Sequence, residues 1–185
     1  MTAILHTLKH QFLISMPHLH DPNFDGALTY ICDHNEHGAM GVIINRPLGI
    51  SLGEIFEQLQ LDGANRIETV YAGGPVQIDR GFVIHRPKGP WQATLAIDEG
   101  IYLTTSKDIL VACAQHEGPK DMLVALGYAG WGAGQLENEI ANNYWLNCPA
   151  DEEILFHTPS EKRLEAAVAK LGISLAQLAP QAGHA

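Results

Sequence analysis

The sequence predicts one domain of the α+β or mixed α/β class. Its 185 residues are enough for one substantial core. A hydrophobic fraction of 46% with 17% charged residues is typical of a folded globular protein. Strand-like runs neither alternate regularly with helices nor all pair through hairpins, and no repeat or linker interrupts them. We therefore expect a single domain over residues 1–185, with a frayed tail at 179–185.

Short apolar runs rich in β-forming residues predict the strands. Runs 27–32 and 40–44 flank a hairpin-type connection at 33–38, and both are apolar throughout, which favours a central place in a sheet. A further buried strand at 122–126 enters a glycine-rich loop at 127–134. The remaining predicted strands are 12–14, 69–72, 81–85, 93–97 and 101–104.

Three helices are predicted from their start signals. Ser51 to Glu54 matches a capping box. A second helix should begin near Thr105 or Ser106 and stop by 118–119. The third should begin at 158–161, with Thr158 as its cap. It should bury one apolar face, formed by Leu164, Ala167, Val168 and Leu171.

Charge and cysteine content exclude several classes of protein. A formal charge of −10 opposes nonspecific attraction to nucleic acid or anionic membrane. The cationic residues are dispersed and no helix-turn-helix pattern is present, so nucleic-acid binding is not expected. No apolar run approaches the roughly 20 residues that cross a bilayer. Three distant cysteines without a C-x-x-C pair fit a reducing compartment, and we expect a cytoplasmic protein without a membrane contact.

The segment 126–137 combines four glycines with Tyr128 and Trp131. Glycine is required where φ is positive or where another group approaches the backbone closely, so the segment predicts a shaped loop. Its G-x-x-G-x-G-x-G spacing is neither a dinucleotide fingerprint nor a Walker loop. Glu137 and Glu139 would also repel phosphate at a helix N-terminus. A structural turn that lets Trp131 pack or face a partner is favoured.

Several blocks of the chain closely resemble the AlgH/YqgE family of small bacterial proteins. They are residues 12–17, 33–47, 73–76, 79–85 and 126–137 with Glu139 and Ile140. The resemblance implies a compact α+β domain with a branched mixed sheet, partly barrel-like and surrounded by helices. It implies no catalytic set and no cofactor. Some family members are labelled transcriptional regulators, and a regulator acting through protein contacts fits the acidic charge better than a DNA-binding protein.

The candidate binding surface comes from the turns within these blocks. Arg46 can hold a carboxylate or phosphate in a bidentate manner, or form a fixed internal ion pair. Gln135 and Glu139 are four residues apart and share one face of a helix. The predicted surface consists of Asn45, Arg46, Pro47, Gly73, Gly74, Pro75, Trp131, Gln135 and Glu139.

Metal and thiol chemistry are weaker alternatives. His34 and His37 could share an ion with a neighbouring Asp or Cys, and His18, His20 and Asp21 add further ligand types, but we expect no metal site. Cys32 is a candidate reactive thiol, because His34 would favour the thiolate while Asp33 would oppose it. A half-buried strand cysteine is the commoner outcome. We expect Cys113 to lie in the core.

Three functions follow from these patterns. The first is a non-enzymatic regulator or adaptor that binds an unknown protein partner. The second is a small-molecule or nucleotide binder, or an enzyme, that uses Arg46 and residues 127–134 to hold an anion. The third is a direct DNA-binding regulator, which the charge disfavours most.

Overall fold

The computed structural model describes residues 7–19 and 21–178. Within them, ten strands form one curled sheet with six helices packed around it. The predicted tail at 179–185 lies outside the described residues, as does His20. The strands are β1 (Gln11–Ser15), β2 (Leu28–Asn35), β3 (Gly38–Ile43), β4 (Pro47–Ser51), β5 (Thr69–Ala72), β6 (Val76–Arg86), β7 (Thr94–Asp98), β8 (Ile101–Thr104), β9 (Asp121–Gly132) and β10 (Trp145–Pro149).

The helices are short. They are α1 (Leu52–Gln58), α2 (Asp108–Ala114), α3 (Gln135–Ala141), α4 (Glu152–Phe156), α5 (Ser160–Ala169) and α6 (Leu175–Leu178), and a 3₁₀ turn lies at Pro17–Leu19. The capping box of α1 is confirmed: the Ser51 hydroxyl accepts from Glu54 N, and the Glu54 carboxylate accepts from Ser51 N. No helix of the described residues has both the length and the apolar character that a bilayer crossing requires.

The sheet branches at β9. Its main path runs β10-β1-β2-β3-β9-β6-β8-β7, and the pair β4-β5 joins β9 beside β3. Residues Asp121–Gly132 are long enough to pair with β6 along one edge, and with β5 and β3 in succession along the other. The β5–β9 pair is parallel and the others are antiparallel, so the predicted branched mixed sheet of an α+β protein is confirmed.

Three apolar clusters hold these layers together. The largest lies between the sheet and α4–α5, and includes Phe12, Tyr30 and Ile84. A second lies beneath α1 and α2, with Phe56 at its centre. The third is an aromatic cluster under α3, built around Trp131. Complete burial of side chains of this size contributes about 1.5–3 kcal/mol each.

The third predicted helix needs one correction. Ala167 and Val168 are buried as expected, but Thr158 does not cap α5. Its hydroxyl donates to Glu153 O and therefore closes the end of α4, a helix that the sequence did not predict. Arg163 is also buried on the inner side of α5. The signals at 158–161, which predicted a single helix start, therefore mark both the end of α4 and the beginning of α5.

Candidate functional site

Asn45 and Arg46 fix the connection before β2. The Asn45 side chain accepts from Leu28 N at 2.8 Å and donates to Gly26 O at 2.9 Å. The Arg46 guanidinium donates to the carbonyls of Asn23 and Asp25. Two main-chain carbonyls therefore hold the Arg46 guanidinium against the loop before β2, and Pro47 follows as the exposed first residue of β4.

The turn at Gly73, Gly74 and Pro75 joins β5 to β6 at the branch. Gly73 N donates to Leu126 O, and Gly73 O accepts from Ile43 N, both at 2.8 Å. Gly74 has a φ of +155°, and a Cβ there would lie 2.1 Å from the Tyr128 carbonyl carbon. Only glycine fits this approach, so the turn is a packed junction with Pro75 exposed at its end.

The prediction of a glycine-rich loop at 127–134 is wrong in its secondary structure. Strand β9 continues to Gly132, because pairing with β3 overrides the low β-propensity of glycine. The backbone N–H of Gly132 is taken by the Gln135 side chain at 2.9 Å. Strand pairing and the Gln135 contact thus use backbone N–H groups that would otherwise be available to bind a phosphate. Gly134, at a φ of +74°, then leads into α3.

Trp131, Gln135 and Glu139 lie together, as the helical spacing predicted for the last two. The Glu139 carboxylate accepts from the Trp131 indole at 3.0 Å, the Trp145 indole at 3.2 Å and the Gln135 amide at 3.2 Å. Trp131 is only 6% exposed and stacks on Phe24 with ring centroids 6.0 Å apart. This network is an internal joint, in which Gln135 is the exposed member.

Arg46 and Trp131 are joined only indirectly. The carbonyls that Arg46 holds belong to Asn23 and Asp25, and the residue between them is the Phe24 that stacks on Trp131. The two parts of the predicted surface are thus connected through the loop before β2. Their side chains face internal partners.

The reactive-thiol candidate is corrected by burial. Cys32 is 0% exposed. Burial raises the pKa of its thiol, and the neighbouring Asp33 raises it further, so the thiolate is disfavoured. Cys113 lies in the core as predicted, where burial raises the pKa of its thiol to about 11. Cys148 is the third buried free cysteine.

His34 and His37 do not converge on a common point. His34 is buried, with Nδ1 accepting from Leu8 N and Nε2 lying 2.8 Å from the Glu137 carboxylate. His37 is exposed and faces Glu36. Across residues 7–19 and 21–178, no group of three or more His, Cys, Asp or Glu side chains is arranged to hold a metal ion.

A cavity of about 730 Å³, here called the sheet cavity, is lined mainly by residues of β3, β6, β7, β8 and β9. Its deep part is apolar and includes Phe82, Leu103 and Tyr128, whereas its rim carries Arg80. The full lining comprises Ala39, Met40, Gln77, Arg80, Phe82, Gln92, Ala93, Thr94, Leu95, Leu103, Thr105, Tyr128, Gly130 and Trp131.

A second opening of about 550 Å³, here called the helix groove, lies between α1, the start of α2 and the sheet. Ile78, which is 68% exposed, stands at its lip. The groove exists because β6 leaves its register with β9 between Val76 and Gly81. Its apolar lining consists of Ile50, Ile55, Leu59, Ile78, Val83, Ile109, Leu110, Val124 and Leu126.

Sequence reasoning missed both openings. Their shared residues, Arg80 and Thr105, come from segments 25 positions apart and meet through a hydrogen bond of 3.3 Å. The available signal was the polar stretch from Gln77 to Arg80, which contains one isolated isoleucine beside an apolar strand. Because β6 shifts its register with β9 between Val76 and Gly81, residues 77–80 lie between the sheet cavity and the helix groove and form a wall of both.

Comparison with known proteins places this geometry in a family. A family model described as AlgH-like matches residues 12–176. A UPF0301 protein of Hahella chejuensis is 55% identical over the full length of both chains, and one of Pseudomonas putida is 59% identical over 96% of each. Neither protein's name states an activity.

Solved structures give the same assignment. The solution structure of the AlgH protein from Pseudomonas aeruginosa is 51% identical, covers both chains completely and has a TM-score of 0.82. A crystal structure of a Corynebacterium diphtheriae protein, at 17% identity and a TM-score of 0.66 over 88% of this chain and 86% of its own, shares the fold. The resemblance read from the sequence is confirmed, and the chain belongs to the AlgH-like family.

Proposed function

We propose that this chain is a non-enzymatic regulator or adaptor that binds an amphipathic helix of a protein partner in the helix groove. The observation that carries the proposal is Ile78, a large apolar side chain 68% exposed at the lip of an apolar groove. Exposed apolar surface next to a preformed groove is typical of protein contact sites.

The walls of the groove suit a helix rather than an extended strand. Helices α1 and α2 contribute Ile55, Ile109 and Leu110, Leu59 follows the end of α1, and the sheet forms the floor. An apolar helix face placed in such a groove is read through side chains at positions i, i+3 or i+4, and i+7.

The rim of the groove favours an acidic partner. Its charged residues are Asp79, Arg80 and Lys107, which together carry a net positive charge on a chain of net charge −10. Since the rest of the surface repels acidic segments, the rim is the place where an acidic helix gains local attraction. The partner class is therefore an amphipathic helix with Asp or Glu beside its apolar face.

The other sequence-based functions receive less support. Arg46, the residue offered to an anionic metabolite or nucleotide, is already bound to internal carbonyls. A DNA-binding surface would need clustered cations, and the net charge opposes it. The three free cysteines support the cytoplasm as the place of action.

A peptide-display selection against the immobilised full chain tests the proposal. Enriched peptides should carry apolar residues at helical spacing together with Asp or Glu. Ile78→Ser should weaken the binding of a selected peptide about tenfold, because burial of an isoleucine side chain is worth about 1.5–3 kcal/mol.

The matched control is Ile67→Ser, which changes an isoleucine that is 89% exposed and does not line the groove. It should leave the affinity unchanged. Selection of no such peptides, or equal losses in the two variants, would refute the helix groove as the contact site.

A further inference from the structure

We propose that the sheet cavity binds an aromatic monoanion: a small planar ring with one carboxylate or sulfonate group. The inference is independent of the proposed partner helix, because it rests on a different opening. Arg80 would hold the anionic group, and the apolar interior would hold the ring.

The electrostatics of the cavity are opposite to those of the chain. Twenty-one acidic and eleven basic residues give the protein a charge of −10, yet among residues 7–19 and 21–178 no Asp or Glu lines the sheet cavity. Of these described residues, Arg80 is the one charged residue in its lining. A lone cation in a partly desolvated cleft attracts one negative charge, and no neighbouring carboxylate there competes for it.

The contacts of Arg80 differ from those of the other four arginines. Arg66 and Arg86 bind carboxylates, while Arg46 and Arg163 donate to main-chain carbonyls. Within residues 7–19 and 21–178, Arg80 donates only to neutral side-chain oxygens, those of Gln77 at 3.1 Å and Thr105 at 3.3 Å.

Those two contacts leave most of the Arg80 guanidinium available. The group has five N–H donors in a planar fork that matches a carboxylate or sulfonate. Its central carbon lies 5.7 Å from the centre of the Phe82 ring, which holds the fork beside an aromatic face. Gln77 and Thr105 therefore orient the arginine without neutralising it.

The interior of the cavity suits a flat apolar body. The rings of Phe82 and Tyr128 lie 5.3 Å apart at an angle of 57°, and Leu103 is buried beside them. Leu95, at 37% exposure, leaves an apolar surface open on the same side. Aromatic rings favour offset or tilted partners at such distances.

The size of the cavity fits a small molecule rather than a macromolecule. A volume of about 730 Å³ lies inside the range of roughly 300–1,000 Å³ that holds drug-sized ligands. The exposed residue Gln92 adds a polar group to the lining, beyond those that orient Arg80. One cation, a few neutral polar groups and an aromatic interior together define the ligand class.

Two fluorescent probes with the same ring system separate the contribution of the anionic group to binding from that of the buried ring. 1-Anilinonaphthalene-8-sulfonate is an aromatic monoanion, and N-phenyl-1-naphthylamine lacks the sulfonate. The parent chain should bind the sulfonate at one saturable site. Arg80→Gln should weaken that binding about tenfold and leave the neutral probe within about twofold, because a charge-assisted contact is lost and the ring site is kept. Arg80→Lys should recover part of the loss.

A second variant tests the same charge from the opposite rim. Gln92→Glu places a carboxylate on an exposed side chain of the cavity and should weaken the sulfonate probe by several-fold. Gln115→Glu adds the same charge outside the cavity and should have no effect. Since Arg80 also lines the helix groove, amide chemical shifts should locate the probe. Shifts are expected at Leu95 and Leu103, and not at Leu59.

The proposal would be overturned by any of three results: no saturable binding of the sulfonate, equal binding by the parent, Arg80→Gln and Gln92→Glu, or shifts centred on Leu59. Unchanged melting temperatures of the variants would show that altered binding does not come from unfolding.

Discussion

Arg163 and Arg80 carry the same charge but occupy opposite kinds of surroundings. Arg163 is 6% exposed, donates to Ile44 O and Thr158 O, and stacks 4.9 Å from the centre of the Tyr71 ring. Arg80 is exposed and, among the residues that the structure describes, donates only to neutral side chains. The first arginine joins α5 to the sheet, whereas the second remains available at the wall of two openings.

The same contrast separates the two regions of the molecule. The joint formed by Asn45, Arg46, Trp131 and Glu139 satisfies its polar groups internally. The wall formed by residues 77–81 leaves Ile78 and Arg80 exposed. This contrast shows that the conspicuous motifs of the chain maintain the fold. We expect binding instead at Ile78 and Arg80, which belong to no recognisable motif and whose side chains are exposed.

The largest expected effect concerns the tight junction at Gly127. Gly127 and Gly100 both have a φ of +81°, but a Cβ on Gly127 would lie 2.4 Å from Gly74 O, while nothing lies within 4 Å at Gly100. Gly127→Ala should lower the free energy of unfolding by about 3 kcal/mol or more, from backbone strain plus overpacking. Gly100→Ala should cost only about 1 kcal/mol. Urea denaturation measures both, and equal losses would show that strain alone explains Gly127.

The next effect compares the two arginines directly. Arg163→Leu leaves two main-chain carbonyls without a donor and should cost about 2–4 kcal/mol in unfolding free energy. Arg80→Leu should change it by no more than about 0.5 kcal/mol. Thermal and urea unfolding of both variants provide the test, and comparable losses would remove the distinction between a joint and a free cation.

Part of the fold was predictable, because local signals encode it. The capping box at Ser51 to Glu54 needs only neighbouring residues, and the long apolar runs around the 33–38 connection pair with each other. Strand β10 and helix α4 were missed because each is only 5 residues long, and long-range partners stabilise them. The burial of Arg163 could not be predicted from the local sequence either, since the Ile44 carbonyl that accepts its hydrogen bond is 119 residues away.

The wall could not be predicted for a related reason. The sheet cavity that it borders takes its lining from β3, β6, β7, β8 and β9, and the wall itself depends on the register shift between Val76 and Gly81. No local pattern specifies such a shift. Gly127 in β9 is a site of close approach, as the glycine-rich segment predicted, whereas a Cβ on Gly130 or Gly132 would meet only ordinary contacts. The pairing that makes this segment a strand is specified only by the tertiary fold.

An intermediate effect is expected in the aromatic joint. Glu139→Leu leaves the indole N–H groups of Trp131 and Trp145 without their acceptor and should cost about 2 kcal/mol. Glu139→Gln keeps an acceptor oxygen and should cost about half as much. Tryptophan fluorescence during urea unfolding reports on the joint itself. If neither variant lowered the free energy of unfolding, water would be accepting the hydrogen bonds of the two indole N–H groups, and the joint would not exclude solvent.

The smallest effect is a pH dependence at His85, which lies buried in β6. Burial lowers the pKa of its imidazole, although a contact with Pro87 O opposes this. The unfolded chain therefore takes up the proton first as the pH falls, and stability present above the ordinary histidine pKa of about 6.5 is lost below it. Urea midpoints measured from pH 7.5 to pH 5 should fall less steeply in His85→Gln.

His37→Gln removes an exposed histidine and serves as the control for that slope. It should retain the steepness of the parent chain. If the urea midpoint of His85→Gln fell with pH as steeply as that of the parent chain, buried His85 would not be the source of the pH dependence.

The most direct test of the central claim measures partner affinity and stability on the same two variants, Ile78→Ser and Arg46→Met. With a peptide obtained by display selection, we predict that Ile78→Ser loses about tenfold in affinity at an unchanged melting temperature. Arg46→Met should have a lower melting temperature and unchanged affinity below it, because Arg46 holds Asn23 and Asp25. The reverse pattern, with affinity lost in Arg46→Met and kept in Ile78→Ser, would contradict the account.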